Sequence, residues 1–238
     1  MKLTVLSEAR ALEGFGSEHG LSFLIEADGK KILFDTGASD LFRKNAGKLG
    51  IDLEEADLVV LSHGHFDHGD GLDFIRDKLL VCHPGCFRER FRKAGLSSIG
   101  LALSKAEVES RMRLEPTRKP RQLTAGLWFL GEIPRENDFE ATRTNYVLEG
   151  GREDFITDDS GLAYATGDRV VVISGCAHSG ICNIISYARR VTGARQVEAV
   201  VGGFHLSRLD HRTDRTISCM KELGIKRVMP SHCTMEPA

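Results

Sequence analysis

No apolar stretch in this chain approaches the roughly 20 residues needed to cross a bilayer, so no membrane partner is expected. The opening MKLTVL is followed at once by Ser7, Glu8 and Arg10, and without an apolar core segment no secretory leader is expected. An excess of charge of one sign is also lacking. The chain has 32 Lys and Arg against 34 Asp and Glu, a net of −2. That balance argues against bulk electrostatic binding to nucleic acid, though it leaves room for a locally basic pocket. Cysteine is sparse and scattered, at positions 82, 86, 176, 182, 219 and 233. Cys82-x-x-x-Cys86 has no second pair of similar spacing, which argues against a structural zinc site. In a chain this long, which needs no stapling, the six read as reduced thiols of a cytoplasmic protein.

What is present is the make-up of a globular fold. Hydrophobic residues are 41% and charged residues 28% of 238, so a single α/β domain spanning 1–238 is expected. LSFLIEADGKKILFDTG (21–37) holds two β-rich runs around Asp28-Gly29, a hairpin signal. SDLFRKNAGKLG (39–50) predicts a helix with Ser39 as N-cap and Gly50 as its stop. A strand at 58–62, a short helix around LDFIRDK (72–78) and a strand at LLVCH (79–83) follow. CFRERFRKAG (86–95) reads as helical, and 111–134 as irregular strands broken by Pro116 and Pro120. The regular pattern returns with strand 169–174, helix 180–193, strand 197–201, helix 213–224 and a last strand at 225–230.

Histidine is scarce, 9 in 238, yet LSHGHFDHGDGL (61–72) packs three of them with two aspartates directly after Leu58-Val59-Val60. Four apolar strands are each followed by a histidine-bearing loop: VVLSHGHFDH, VVVISGCAHSG, AVVGGFHLS and KRVMPSHCT. In α/β sheets, sites form outside the carboxyl ends of strands. Residues two apart in an extended loop face the same side, so His63 and His65 can share one metal. Asp67 and His68, where the chain turns at Gly69, can face a second. Imidazole and carboxylate are ligands common to zinc, iron and manganese. Two such ions ~3.5–4 Å apart can hold a bridging hydroxide and polarise a substrate oxygen. One histidine alone would read as part of a satisfied polar loop. The cluster, with His178, His205 and His232 at other strand ends, points to metal.

By H-x-H-x-D-H after an apolar strand, the chain resembles the metallo-β-lactamase superfamily, four-layer αββα sandwiches of largely hydrolytic enzymes with one or two metals. ILFDTG (32–37) resembles the superfamily's early aspartate motif, which implies that Asp35 supports the metal loop. SEHGLSFLIE, SHGHFDHGDGL, SGCAHSGICNI, GGFHL and PSHCT together resemble one branch. That branch is named after 7,8-dihydropterin-6-methyl-4-(β-D-ribofuranosyl)aminobenzene 5′-phosphate synthase. The resemblance implies two divalent transition metals, zinc foremost, with iron and manganese as alternatives. It implies His178 as the third ligand of the first metal and His232 as a ligand of the second. Cys176 is then a small buried thiol behind the metal loop, and His19 a substrate contact at the pocket mouth. Two departures stand out. Branch members continue after HCTG with another helix and strand, whereas this sequence reads HCTM and stops at Ala238. The superfamily's usual bridging aspartate is also not evident.

His205 has three readings: ligand, substrate contact and core residue. Gly202 and Gly203 precede it, a pair that a buried core turn rarely needs. With His63, His65 and His178 on one metal and Asp67, His68 and His232 on the other, each site has three protein ligands. Catalytic metals keep a position open, so His205 is expected to be a catalytic pocket residue that hydrogen-bonds substrate or the attacking water. His83 is read as structural and His211 as exposed. Residues 88–121 carry ten Lys or Arg against four Glu, mostly a solvated face, with arginine suited to an anionic substrate. The leading functional expectation is a metal-dependent hydrolase of a small phosphorylated or ester substrate, with Asp67 binding metal and accepting the proton. A transferase joining a pterin carbon to an aromatic ring is the second, and a non-catalytic metal or ligand sensor the third. Nothing in the sequence sets the oligomeric state.

Overall fold

Asp28 and Gly29 both adopt left-handed φ, 51° and 77°. In a two-residue turn this matches the twist of the flanking strands. In the computed structural model of the chain they close the expected hairpin, with Ala27 opposite Lys30. The structure describes residues 1–234; Met235 of the HCTM sequence lies outside the described residues.

In chain order the strands are β1 (Lys2–Ser7), β2 (Ser22–Ala27), β3 (Lys30–Phe34), β4 (Leu58–Val60), β5 (Leu79–Cys82), β6 (Arg90–Arg92), β7 (Arg113–Pro116), β8 (Arg121–Gln122), β9 (Leu127–Phe129), β10 (Tyr146–Leu148), β11 (Gly161–Thr166), β12 (Arg169–Ser174), β13 (Gln196–Gly203) and β14 (Arg227–Ser231). The helices are α1 (Leu41–Lys48), α2 (Phe66–Gly69), α3 (Lys105–Glu109), α4 (Ile181–Thr192) and α5 (His211–Glu222). The chain divides into two compact units: 1–117 with 145–154, and 118–144 with 155 onward.

In the first unit the sheet order is β1-β2-β3-β4-β5-β7. β1 pairs antiparallel with β2 and β2 with β3, while β3, β4, β5 and β7 run parallel. Leu24, Leu33, Phe42, Val59, Leu61 and Leu80 form its core. Burying each such side chain contributes about 1.5–3 kcal/mol. Asp40, not Ser39, is the N-cap of α1. The Ser39 hydroxyl instead accepts from Leu41 N–H at 3.2 Å and donates to Glu18. The helix expected at 72–78 forms earlier, as α2 and a 3-10 turn at Asp70–Phe74, and the chain is extended by Ile75. The helix expected at 86–95 is absent. A 3-10 turn, Pro84–Phe87, leads into β6, which pairs antiparallel with β10. A strand partner more than 50 residues onward decides the matter, since β pairing outweighs local helical preference. Arg90, fully buried, is oriented by Asp154 at 3.4 Å and by the Gly85 carbonyl at 3.0 Å. α3 carries a complete capping box between Ser104 and Glu107.

In the second unit the order is β14-β13-β12-β11-β9-β8. β12, β13 and β14 are parallel; β11, β9 and β8 join antiparallel. α4 packs Ile181, Ile184, Ile185 and Ala188 onto this sheet beside Val170, Val172 and Val200. It ends at Gly193 with φ 72°, the left-handed stop that glycine permits. Asp210 caps α5, accepting from Thr213 N–H at 3.0 Å. Among the described residues no helix is long and apolar enough to cross a membrane.

Candidate metal-binding residues

In the first unit, parallel strands β3, β4 and β5 end along one edge and hand over to Asp35, the histidine loop and His83. Asp35 has φ 58°, an uncommon conformation for a residue with a side chain. It is held there by donating to the Val60 carbonyl at 2.8 Å and by accepting from Ser22 Oγ at 2.8 Å. Its buried carboxylate is a hub. Oδ1 accepts from Ser62 N–H, and Oδ2 accepts from Ser62 Oγ, both at 2.7 Å. Oδ2 also lies 2.7 Å from His68 Nδ1. Ser62 Oγ gives its only proton to Asp35, so at 2.9 Å it accepts from His63 Nδ1–H. The network thereby protonates Nδ1 of both His63 and His68 and directs the Nε2 lone pairs to any metal.

The His63 ring lies 4.5 Å from that of His65 and 4.3 Å from that of His68, centre to centre. Asp67 is buried at the start of α2, with Oδ2 3.9 Å from His68 Nε2. His19, expected as a substrate contact, stands with Nε2 3.2 Å from Asp67 Oδ2. The loop is set close to its neighbour: a side chain at Gly64 would bring Cβ within 1.8 Å of the Cys86 carbonyl. Tyr146 packs edge-on against His65, ring centres 5.1 Å apart. Sequence reasoning did not single it out, and the segment around it carries no motif. His83 accepts from Gly85 N–H at 3.0 Å and caps the 3-10 turn.

In the second unit, parallel β12, β13 and β14 also end together. They carry Cys176 and His178, then His205, then His232 and Cys233. The His178 and His205 rings are 4.4 Å apart. Donor atoms of Cys176, His232 and Cys233 all lie within 4.8 Å of one another. The loop after β12 is anchored by Asp159, which accepts from the N–H and the hydroxyl of Ser179. Burial pushes the Asp159 carboxyl up to about 6, against the lowering effect of the Ser179 hydrogen bonds. Glu140 closes the start of α4: Oε1 accepts from Cys182 N–H and Oε2 from Asn183 N–H, each at 3.0 Å.

The glycines before His205 have a packing cause. Gly202 has φ 110° and sits opposite Ser174, whose carbonyl would be 1.9 Å from any Cβ there. The pair is required by the backbone and so does not itself argue for a pocket role. His205 is half-buried at φ 51°, and its N–H donates to Cys233 Sγ at 3.2 Å. Its carbonyl accepts from Arg212. His211 is exposed at the start of α5. In the basic segment, Lys93 pairs with Glu153, Arg111 with Asp73, Arg113 with Glu115 and Arg118 with Glu132. These local pairs suit a solvated face. The six cysteines form no disulfide.

Imidazoles with one nitrogen already engaged, together with a buried carboxylate, are a donor set that fits divalent transition ions. Residues 16–86 match the family model of the metallo-beta-lactamase superfamily. The 7,8-dihydropterin-6-methyl-4-(beta-D-ribofuranosyl)-aminobenzene-5′-phosphate synthase of Methanocaldococcus jannaschii is 36% identical, over 92% of this chain and 82% of its own. An uncharacterised protein of the same organism is 32% identical, over 98% of this chain and 90% of its own. A solved structure described as a metal-dependent hydrolase of the beta-lactamase superfamily superposes with a TM-score of 0.87 at 32% identity, covering 98% of this chain and 88% of that one. Identity at this level along nearly the whole length, on a shared mixed α/β fold, settles the family: the chain belongs to the metallo-β-lactamase superfamily.

Proposed function

We propose that the chain is a metal-dependent hydrolase of a small ester or phosphoester, acting in the cytoplasm. The observation that carries this reading is the Asp35 hub, whose hydrogen bonds engage Nδ1 of His63 and His68 and leave Nε2 as the nitrogen proposed to take a metal. The proposed ligands are those expected from the sequence, His63, His65, Asp67 and His68 in the first unit and His178 and His232 in the second, with zinc foremost. When bound, the ions would supply an activated water and stabilise developing negative charge.

The residues of the chain do the rest. Asp67 accepts the proton, and His19 at 3.2 Å steadies its carboxylate. His205 holds the substrate or the attacking water. A second reading, the transferase, is favoured by the 36% identity to the synthase. The two separate in one experiment. Metal-replete protein is assayed against a panel of phosphodiesters and thioesters, and separately for formation of the dihydropterin product named by that synthase. Hydrolysis that falls about 10²–10⁴-fold in Asp67→Asn, assayed with saturating metal, supports the proposal. An undiminished rate in the metal-replete variant makes Asp67 a scaffold residue. Product formation without hydrolysis makes the chain a transferase, and metal binding with neither makes it a sensor.

A further inference from the structure

The ends of β12 and β14 bring two thiols into contact. Cys176 Sγ and Cys233 Sγ lie 3.1 Å apart, although the residues are 57 positions apart in sequence. A disulfide bond is ~2.05 Å, so closure needs a movement of about one ångström. Room for the pair is provided by Gly203, where a Cβ would stand 2.7 Å from Cys233 Sγ and 3.3 Å from Cys176 Cα. The His205 N–H aims at Cys233 Sγ and holds it in place. The two thiols also differ in access: Cys176 is buried and Cys233 is partly exposed.

We propose that Cys176 and Cys233 are a reversible oxidation site, closed to a disulfide by peroxide. Accessible Cys233 attacks the O–O bond as the thiolate. Its sulfur takes one oxygen to become the sulfenic acid, and hydroxide leaves. The Cys176 sulfur then attacks that of Cys233, the S–O bond breaks, and the oxygen leaves as water. In sum, two thiols and one hydrogen peroxide give one disulfide and two waters, the thiols losing two electrons and the peroxide gaining them. A dithiol reverses the bond by exchange. The bond would tie the loop carrying His178 to the loop carrying His232, whichever reaction the protein performs. Inside cells such bonds are characteristically transient and redox-sensing.

The test treats the reduced full-length chain with one equivalent of hydrogen peroxide, denatures it in N-ethylmaleimide, and reads intact mass and digested peptides. The proposal expects four alkylated cysteines in place of six and a 2 Da loss after correcting for label. It also expects a linked peptide containing Cys176 and Cys233, and restoration of six labels by dithiothreitol. Cys233→Ser should keep five labels after the same treatment. Six labels in the treated wild type would overturn the proposal. So would a bond mapped to Cys182 and Cys219, or a Cys233 sulfinic acid beside a still-alkylated Cys176. The wild-type map decides the question by itself, even if the variant folds poorly.

Discussion

The two units each use a buried aspartate to pin a loop that bears histidine, and they use it differently. Asp35 and Asp159 both accept the N–H and the hydroxyl of one serine, Ser62 beside His63 and Ser179 beside His178. Asp35 also meets His68 Nδ1 at 2.7 Å. Asp159 faces no imidazole among the described residues; its Oδ1 takes no hydrogen bond there, and the Arg135 guanidinium and the Ser179 hydrogen bonds only partly offset its burial. Its desolvation therefore shows as a carboxyl pushed up to about 6. One aspartate orients histidine rings, whereas the other holds a loop at a cost in stability that depends on pH.

The largest break in this comparison is Asp35→Ala. It leaves Ser62 and His68 without their buried acceptor and should cost about 3–5 kcal/mol, with loss of bound metal. Denaturant unfolding and elemental analysis check both. A loss no larger than that of Asp159→Ala would erase the distinction drawn between the two residues.

Next comes Asp159→Asn. The folded-state value of about 6 lies above the ordinary 3.8, so the charged form is the one that folding disfavours. The penalty is absent below pH 4, grows between 4 and 6, and is complete above that. The gap of 6 − 3.8 = 2.2 corresponds to roughly 3 kcal/mol. The amide variant should therefore exceed wild type by up to that amount at pH 8 and match it at pH 4, as read by unfolding of metal-free protein. An offset that stays constant with pH would mean that the carboxylate charge is not its cause. The smallest expected effect, Ser62→Ala, sharpens the orienting role: removing the acceptor for His63 Nδ1–H should weaken metal binding about 10–100-fold. A change under threefold in a competition titration would deny it.

What could be read in the sequence was what is local. The hairpin needed only Asp28-Gly29, and the stop of α4 only Gly193, because each turn is decided by its own dihedrals. The histidine loop is legible because six consecutive positions hold its donors. The capping box of α3 was equally local, though no element was expected at 104–109. β6 could not be read this way, since its pairing with β10 is invisible to a window of ten residues. Asp159 and Glu140 anchor loops 20 and 42 residues further on, and no motif marks either. Gly202 and Gly203 were visible, but their cause was not: the crowding carbonyl belongs to the strand alongside.

Glu140 has a consequence for what the protein can recognise. The first amides of a helix, with the positive end of its dipole, are a ready receptor for phosphate. In α4 the chain fills that receptor with a carboxylate of its own. A phosphate group arriving there would meet a resident negative charge instead of open donors. The start of α4 is therefore closed to such a group, and replacing Glu140 with a neutral residue is the change that would hand this helix end to a foreign anion.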